Sequence, residues 1–232
     1  MKNSLKKTPV FRAKDEKTER IPVDADTQYQ IFSRLRERNP DPKSELHYSS
    51  PYTLLVAVVL SAQATDIGVN KVTDVLFQHA DTAQKMVALG EEAVREMIRS
   101  LNYYRTKAKH VVALSDILLQ RFNGQVPSSL EELIQLPGVG QKTASVVLNV
   151  AFGKPYIAVD THIFRVSNRI PLVQTSTPQE TQSALEQCIP AEFLYHAHHW
   201  LILLGRYICK ARKPECTACP IQDLCRYPAK TI

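Results

Sequence analysis

Six residues in the second half of this chain suggest chemistry by their types and spacing: a lysine, an aspartate and four cysteines. Lys142 follows the turn Gly138-Val139-Gly140 by two residues. It opens a segment in which Ala144, Val147, Leu148 and Ala151 recur at helical spacing. A cation in the first turn of a helix opposes the helix dipole, so stability gives no reason for it to stand there. The same field, joined by partial burial, favours the uncharged amine, which is the nucleophile of Schiff-base chemistry. The plainer use of such a lysine is a solvated contact to a phosphate, and this segment by itself favours that use. Asp160 precedes a second apolar-periodic segment, where an aspartate commonly caps a helix. Capping also fixes a carboxylate in place.

Cys209, Cys216, Cys219 and Cys225 form a C-x6-C-x2-C-x5-C array. Four thiolates suit a structural zinc ion or a 4Fe–4S cluster, and the spacing alone leaves the two open, although zinc sites more often show two close pairs. Metal binding would fold this stretch, which has little apolar material of its own. Lys210, Arg212 and Lys213 lie within the first inter-cysteine loop, where a rigid backbone could present them to phosphates. The fifth cysteine, Cys188, lies outside the array and reads as a small core residue.

These groups need helices to position them. Leu136-Pro137-Gly138-Val139-Gly140 joins two helical patterns: Pro137 stops the first, and Gly138 and Gly140 permit positive φ and close approach of another backbone. A tight turn that opens a helix leaves N–H groups unpaired at the positive end of the dipole, a ready cradle for phosphate. Upstream, Ser50-Pro51 reads as N-cap and first residue of an apolar helix. Ser129 with Glu132 offers a capping box. No stretch alternates as a strand flanked by hairpin turns, so the expected fold class is all-α.

The 232 residues suffice for one large domain or two small ones, and 44% hydrophobic with 22% charged residues is the composition of a folded globular chain. The longest apolar run, Leu54 to Leu60, is too short to cross a bilayer, and the N-terminus lacks a secretory signal, which points to the cytoplasm and to reduced cysteines. Net charge is +6. Residues 1–20 carry seven basic against three acidic side chains, and residues 205–232 carry six against two, leaving the middle near neutral. Basic ends on a neutral body suit a polyanion such as nucleic acid. Residues 1–22 read as a flexible basic tail.

Leu136-Pro-Gly-Val-Gly-Gln-Lys-Thr-Ala144 resembles the helix–hairpin–helix of endonuclease III-type DNA glycosylases, and Val159-Asp-Thr-His-Ile-Phe-Arg-Val166 resembles that family's second signature. Leu60-Ser-Ala-Gln-Ala-Thr-Asp66 matches its third, the loop whose glutamine enters the duplex. With the cysteines, the resemblance runs from about Tyr29 to Tyr227. It implies two helical domains flanking a DNA-binding cleft, one built from residues 51–154 and the other from 23–50 with 155–232. It also implies a 4Fe–4S cluster on the four cysteines, Lys142 as nucleophile and Asp160 as essential carboxylate. Gln63 would fill the space of a flipped-out base, and Gly138, Val139 and Gly140 would grip the backbone. The family's second wedge is usually aliphatic, often a leucine after a glycine; here Asn102-Tyr103 takes that place.

The implied activity is that of a monomeric glycosylase and abasic-site lyase acting on duplex DNA that contains damaged bases or abasic sites. Its substrates would be oxidised pyrimidines of the thymine glycol type, attacked through a lysine Schiff base, with β-elimination on the 3′ side. Adenine glycosylases of the same fold lack the catalytic lysine. A non-catalytic DNA-binding module would need neither Lys142 nor Asp160, and nothing in the sequence favours a redox sensor.

Overall fold

The computed structural model describes residues 21–231; residues 1–20 of the expected basic tail lie outside them. The described residues contain helices and connecting loops and no strand. Ten α-helices follow one another: α1 (Ala25–Arg38), α2 (Pro51–Ser61), α3 (Asp66–His79), α4 (Ala83–Met97), α5 (Tyr104–Phe122), α6 (Leu130–Leu133), α7 (Gln141–Phe152), α8 (Thr161–Arg169), α9 (Pro178–Cys188) and α10 (Ala191–Leu203). None is long and apolar enough to cross a membrane.

Local signals set most of the boundaries. Ser50 caps α2 in a reciprocal box with Thr53, and Pro51 occupies the first position, where its missing N–H costs nothing. Ser129 Oγ accepts from the Glu132 amide and donates to the Glu132 carboxylate. The helix that this box opens is a short one, α6, because Pro137 lies close behind.

Buried apolar side chains fall into two clusters. The first runs from Leu46 to Leu148 and centres on α2, whose residues Tyr52 to Leu60 are all buried. Helices α3, α5 and α7 pack around α2. The second cluster joins Ile31, Phe32 and Leu35 of α1 to Ile163 and Val166 of α8, Leu185 of α9 and Phe193, Trp200 and Leu201 of α10. Phe32 stacks on Phe193 with ring centroids 5.8 Å apart, and Trp200 Nε1 donates to the Asn39 carbonyl at 2.8 Å. Val23 N–H donates to Pro171 at 3.0 Å, and Arg226 donates to the Pro22 carbonyl at 3.0 Å, so segments far apart in sequence close this cluster.

At the end of α10 the backbone widens into a single π turn, Leu204–Ile208. A Cβ on Gly205 would stand 2.9 Å from the Cβ of His162 and 3.1 Å from a Val166 methyl, so only glycine allows this turn to lie against α8. That approach brings the start of α8 and the end of α10 into one wall.

Candidate active site

Lys142 is the second residue of α7, and Asp160 is the N-cap of α8. Both line one cavity of about 410 Å³, with Gln63 from the α2–α3 turn at the same cavity. The cavity is lined from helices of both apolar clusters: Val58 of α2 and Val146 of α7 from the first, and Thr161 and His162 of α8 with His198 and Ile202 of α10 from the helices of the second.

Asp160 Oδ1 accepts from the backbone amides of His162 and Ile163, each at 2.8 Å. Both cap bonds use this one oxygen, and among the described residues Oδ2 has no hydrogen-bond partner, which leaves it available to the cavity. Cap and carboxylate are therefore compatible roles. Lys142 is exposed, so the protein alone supplies none of the burial that would help discharge its amine. That desolvation has to come from whatever covers the cavity.

The wall opposite the lysine carries residues the sequence reading missed. His198 is 5% exposed, and its Nδ1 is buried without a hydrogen-bond partner. Its pKa is pushed down to about 3, first by burial and then by the positive charges of His199, Lys142 and Arg206. His199, beside it, is pushed down to about 4, again chiefly by burial. The nearby Arg206 guanidinium bonds the carboxylates of Glu45 and Asp66, tying the end of α10 to the start of α3.

Both histidines are held neutral in the fold, while in the unfolded chain each titrates near 6.5. As pH falls below that value the unfolded chain takes up protons first, so their contribution to stability is complete above about 6.5 and declines toward pH 4. Each is expected to cost about 2 kcal/mol by pH 5 relative to pH 7.5. Urea unfolding at the two pH values reads the loss, and imidazole NMR titration assigns it. Two rings that titrate near 6.5 in the folded protein would contradict this.

The hairpin differs in detail from the sequence reading. Gly138 takes positive φ (+78°), and a Cβ there would meet His110 at 2.9 Å, so glycine is required twice over. Gly140 does not use positive φ: its backbone is extended (φ −91°, ψ 175°), it caps α7 without a side-chain bond, and the space around its Cα is open. The Val139 side chain is buried and its N–H donates to the Leu136 carbonyl at 3.1 Å. The N–H groups left for a phosphate are those around Gly140 and the first turn of α7. Gly138, Val139 and Gly140 do not line the cavity.

Gln63 and Tyr103 both hold left-handed backbone, with φ of 53° and 57°. Such conformations cost non-glycine residues about 1–3 kcal/mol each and gather at functional sites. Tyr103 is 66% exposed and stands just ahead of α5. It lies beside the main cavity rather than in it, on a loop joined to the Gln63 turn by one hydrogen bond, from Asn102 Nδ2 to the Gln63 carbonyl at 3.1 Å.

The four cysteines form no disulfide and line a separate small pocket, with Ile170, Leu204, Ile208 and Ile221 among its apolar walls. Arg169 Nη1 lies 3.6 Å from Cys209 Sγ and donates to the Lys210 carbonyl, while Nη2 donates to that of Ala211, pinning the first inter-cysteine loop. The Cys219 thiol is pushed up to about 11, first by burial; the Ile221 amide opposes this, and the other three cysteines add to it. Four partly buried thiols gathered at one pocket resist ionising together without a cationic centre among them, so this donor set fits a metal group that its thiolates ligate. Lys210 pairs with Glu215, and Arg212 and Lys213 are exposed.

Residues 56–191 match the profile of the HhH-GPD superfamily base excision DNA repair proteins, and residues 209–225 match the iron–sulfur binding domain of endonuclease III. The chain is 53% identical over 197 residues to endonuclease III of Rickettsia conorii, covering 85% of this chain and 94% of that protein. It is 51% identical over 201 residues to endonuclease III of Escherichia coli strain K12, covering 87% and 95%. A solved structure of a trapped endonuclease III–DNA covalent intermediate, an estranged-adenine complex, superposes with a TM-score of 0.81 at 42% identity, covering 88% of this chain and 97% of that one. The chain belongs to the endonuclease III family of base-excision DNA glycosylases with abasic-site lyase activity, and Cys209, Cys216, Cys219 and Cys225 fall within its iron–sulfur domain, the seat of a 4Fe–4S cluster.

Proposed function

We propose that this chain, as a monomer, binds duplex DNA, extrudes an oxidised pyrimidine of the thymine glycol type, releases it through a Schiff base on Lys142, and cuts 3′ to the abasic site by β-elimination. The observation that carries the reading is the single cavity shared by Lys142, Asp160 and Gln63. A base cannot be reached inside the stack, so the nucleotide must rotate out, and a cavity of this size admits one. The two apolar clusters are read as the two domains, with the DNA lying across the cavity between them.

The uncharged Lys142 amine attacks the sugar C1′, and the glycosidic C–N bond breaks with its electron pair leaving on the base. Oδ2 of Asp160 faces the positive charge that develops at the sugar and can take the proton shed by the amine. The C1′–O4′ bond then breaks with its electron pair leaving on O4′, which takes up a proton, as the nitrogen lone pair forms the iminium. The iminium acidifies the C2′ proton, whose removal forms the C2′–C3′ double bond and expels the 3′ phosphate. DNA lying over the cavity supplies the desolvation that an exposed lysine lacks. Gln63 occupies the vacated stack, and the amides at the start of α7, uncapped by any side chain, bind a phosphate. The four cysteines would hold the 4Fe–4S cluster, which supplies cross-linking of the loop that carries Arg212 and Lys213 toward the DNA backbone. The trapped DNA-bound covalent state of the similar endonuclease III supports the Schiff-base step.

Duplexes carrying thymine glycol, dihydrouracil, uracil, 8-oxoguanine or an abasic site, each incubated with and without borohydride, test this. Covalent trapping with the first two and the abasic site, and little with uracil or 8-oxoguanine, is expected. No trapping on any duplex would end the proposal.

A further inference from the structure

Gln63 and Tyr103 lie 40 residues apart in sequence, on turns from different helix pairs, yet they share one unusual property. Each is a non-glycine residue held at positive φ, 53° and 57°, with its side chain in solvent. Left alone, an exposed turn residue relaxes to negative φ, so something must hold both turns. Internal bonds hold part of each: Ala64 N–H donates to the Ser61 carbonyl at 3.0 Å, and Leu101 N–H to that of Ile98 at 2.9 Å. Neither relates one turn to the other. Between them, the hydrogen bond is that from Asn102 Nδ2 to the carbonyl of Gln63 itself, at 3.1 Å.

We infer that Asn102 is a positioning residue that locks the Gln63 turn and the Tyr103 turn into one two-pronged wedge, setting the amide prong and the aromatic prong at a fixed spacing before DNA arrives. The inference rests on the reading of Gln63 and Tyr103 as the residues that enter the duplex. Asn102 precedes one prong in sequence and bonds the backbone of the other, so neither turn can shift alone. The chemistry of the prongs differs accordingly. Gln63 has donors and acceptors for the edge of the base left without its partner. Tyr103 offers a ring face, which stacks on a neighbouring base whatever its identity. Preorganising the pair removes an ordering cost from the step in which the stack is opened.

Two substrates carrying the same preformed abasic site, one in a duplex and one in a single strand, test this with the full chain and its cluster. Only the duplex presents a stack to enter. Asn102→Ala removes the donor. Asn102→Asp keeps the shape but turns an acceptor toward the Gln63 carbonyl. Each is expected to slow borohydride trapping on the duplex roughly tenfold, the scale of one lost hydrogen bond, with the single-strand rate within about twofold of the parent. A 2-aminopurine opposite the abasic site should lose a matching part of its emission rise on binding. With Gln63→Ala and Tyr103→Ala already in place, Asn102→Ala should cost nothing further. Equal losses on both substrates would reduce Asn102 to a support of the fold, and unchanged rates on both would make the bond idle; either result overturns the inference. A parent protein that traps neither substrate would sink the Lys142 reading instead, and the 2-aminopurine emission, which needs binding but no chemistry, would still decide the role of Asn102.

Discussion

Lys142→Ala is expected to abolish borohydride trapping and strand cleavage, with a loss on the order of 10³-fold or more, the scale seen when a covalent nucleophile is removed. Affinity for an abasic-site duplex should change far less, because the hairpin and the Gln63 turn are untouched. Stability should move the other way. Lys142 is exposed in the first turn of α7, where its charge opposes the helix dipole, and alanine removes that opposition. A gain of about 0.5 kcal/mol in unfolding free energy is expected. Single-turnover cleavage together with urea unfolding measures both effects. Retained cleavage would remove Lys142 from the chemistry, and a large loss of stability would mean that its role is structural.

Asp160 offers a sharper separation, because its two roles use different atoms. Oδ1 caps α8 through two amides, and Oδ2, on a residue that lines the cavity, takes no part in the cap. Asparagine caps a helix about as well as aspartate, whereas alanine caps poorly and costs about 1 kcal/mol. Asp160→Asn should therefore keep the melting behaviour of the parent and still lose cleavage by roughly 10²–10⁴-fold, the worth of a positioned acid–base group. Asp160→Ala should lose both. If Asp160→Asn cleaves like the parent, the carboxylate is a cap and nothing else.

The features that were legible from sequence are those with local causes. Ser50-Pro51 and the Ser129–Glu132 box gave helix starts because capping is decided within four residues. Lys142 and Asp160 stood out because each sits at a helix start, and the cysteines because their spacing is compact. The cavity wall was not legible. His198 and His199 lie in an apolar-periodic helix, where a histidine reads as core, and their place at the cavity depends on how α10 packs against its neighbours in three dimensions. The run His196-Ala-His-His199 in an otherwise apolar helix was the available signal. The extended backbone of Gly140 was not legible, because a turn's φ values depend on how its two flanking helices meet. Asn102 was read as a departure from a pattern, and its partner, 39 residues away, could only be found in three dimensions.

The interleaved second apolar cluster also bears on how the molecule is made. Phe32 and Ile31 of α1 find their packing partners among residues 157–221. On a ribosome, α1 therefore emerges early and must wait while the intervening helices, which bury their apolar faces against one another, are synthesised and fold. For that interval an aromatic, amphipathic segment stays uncovered.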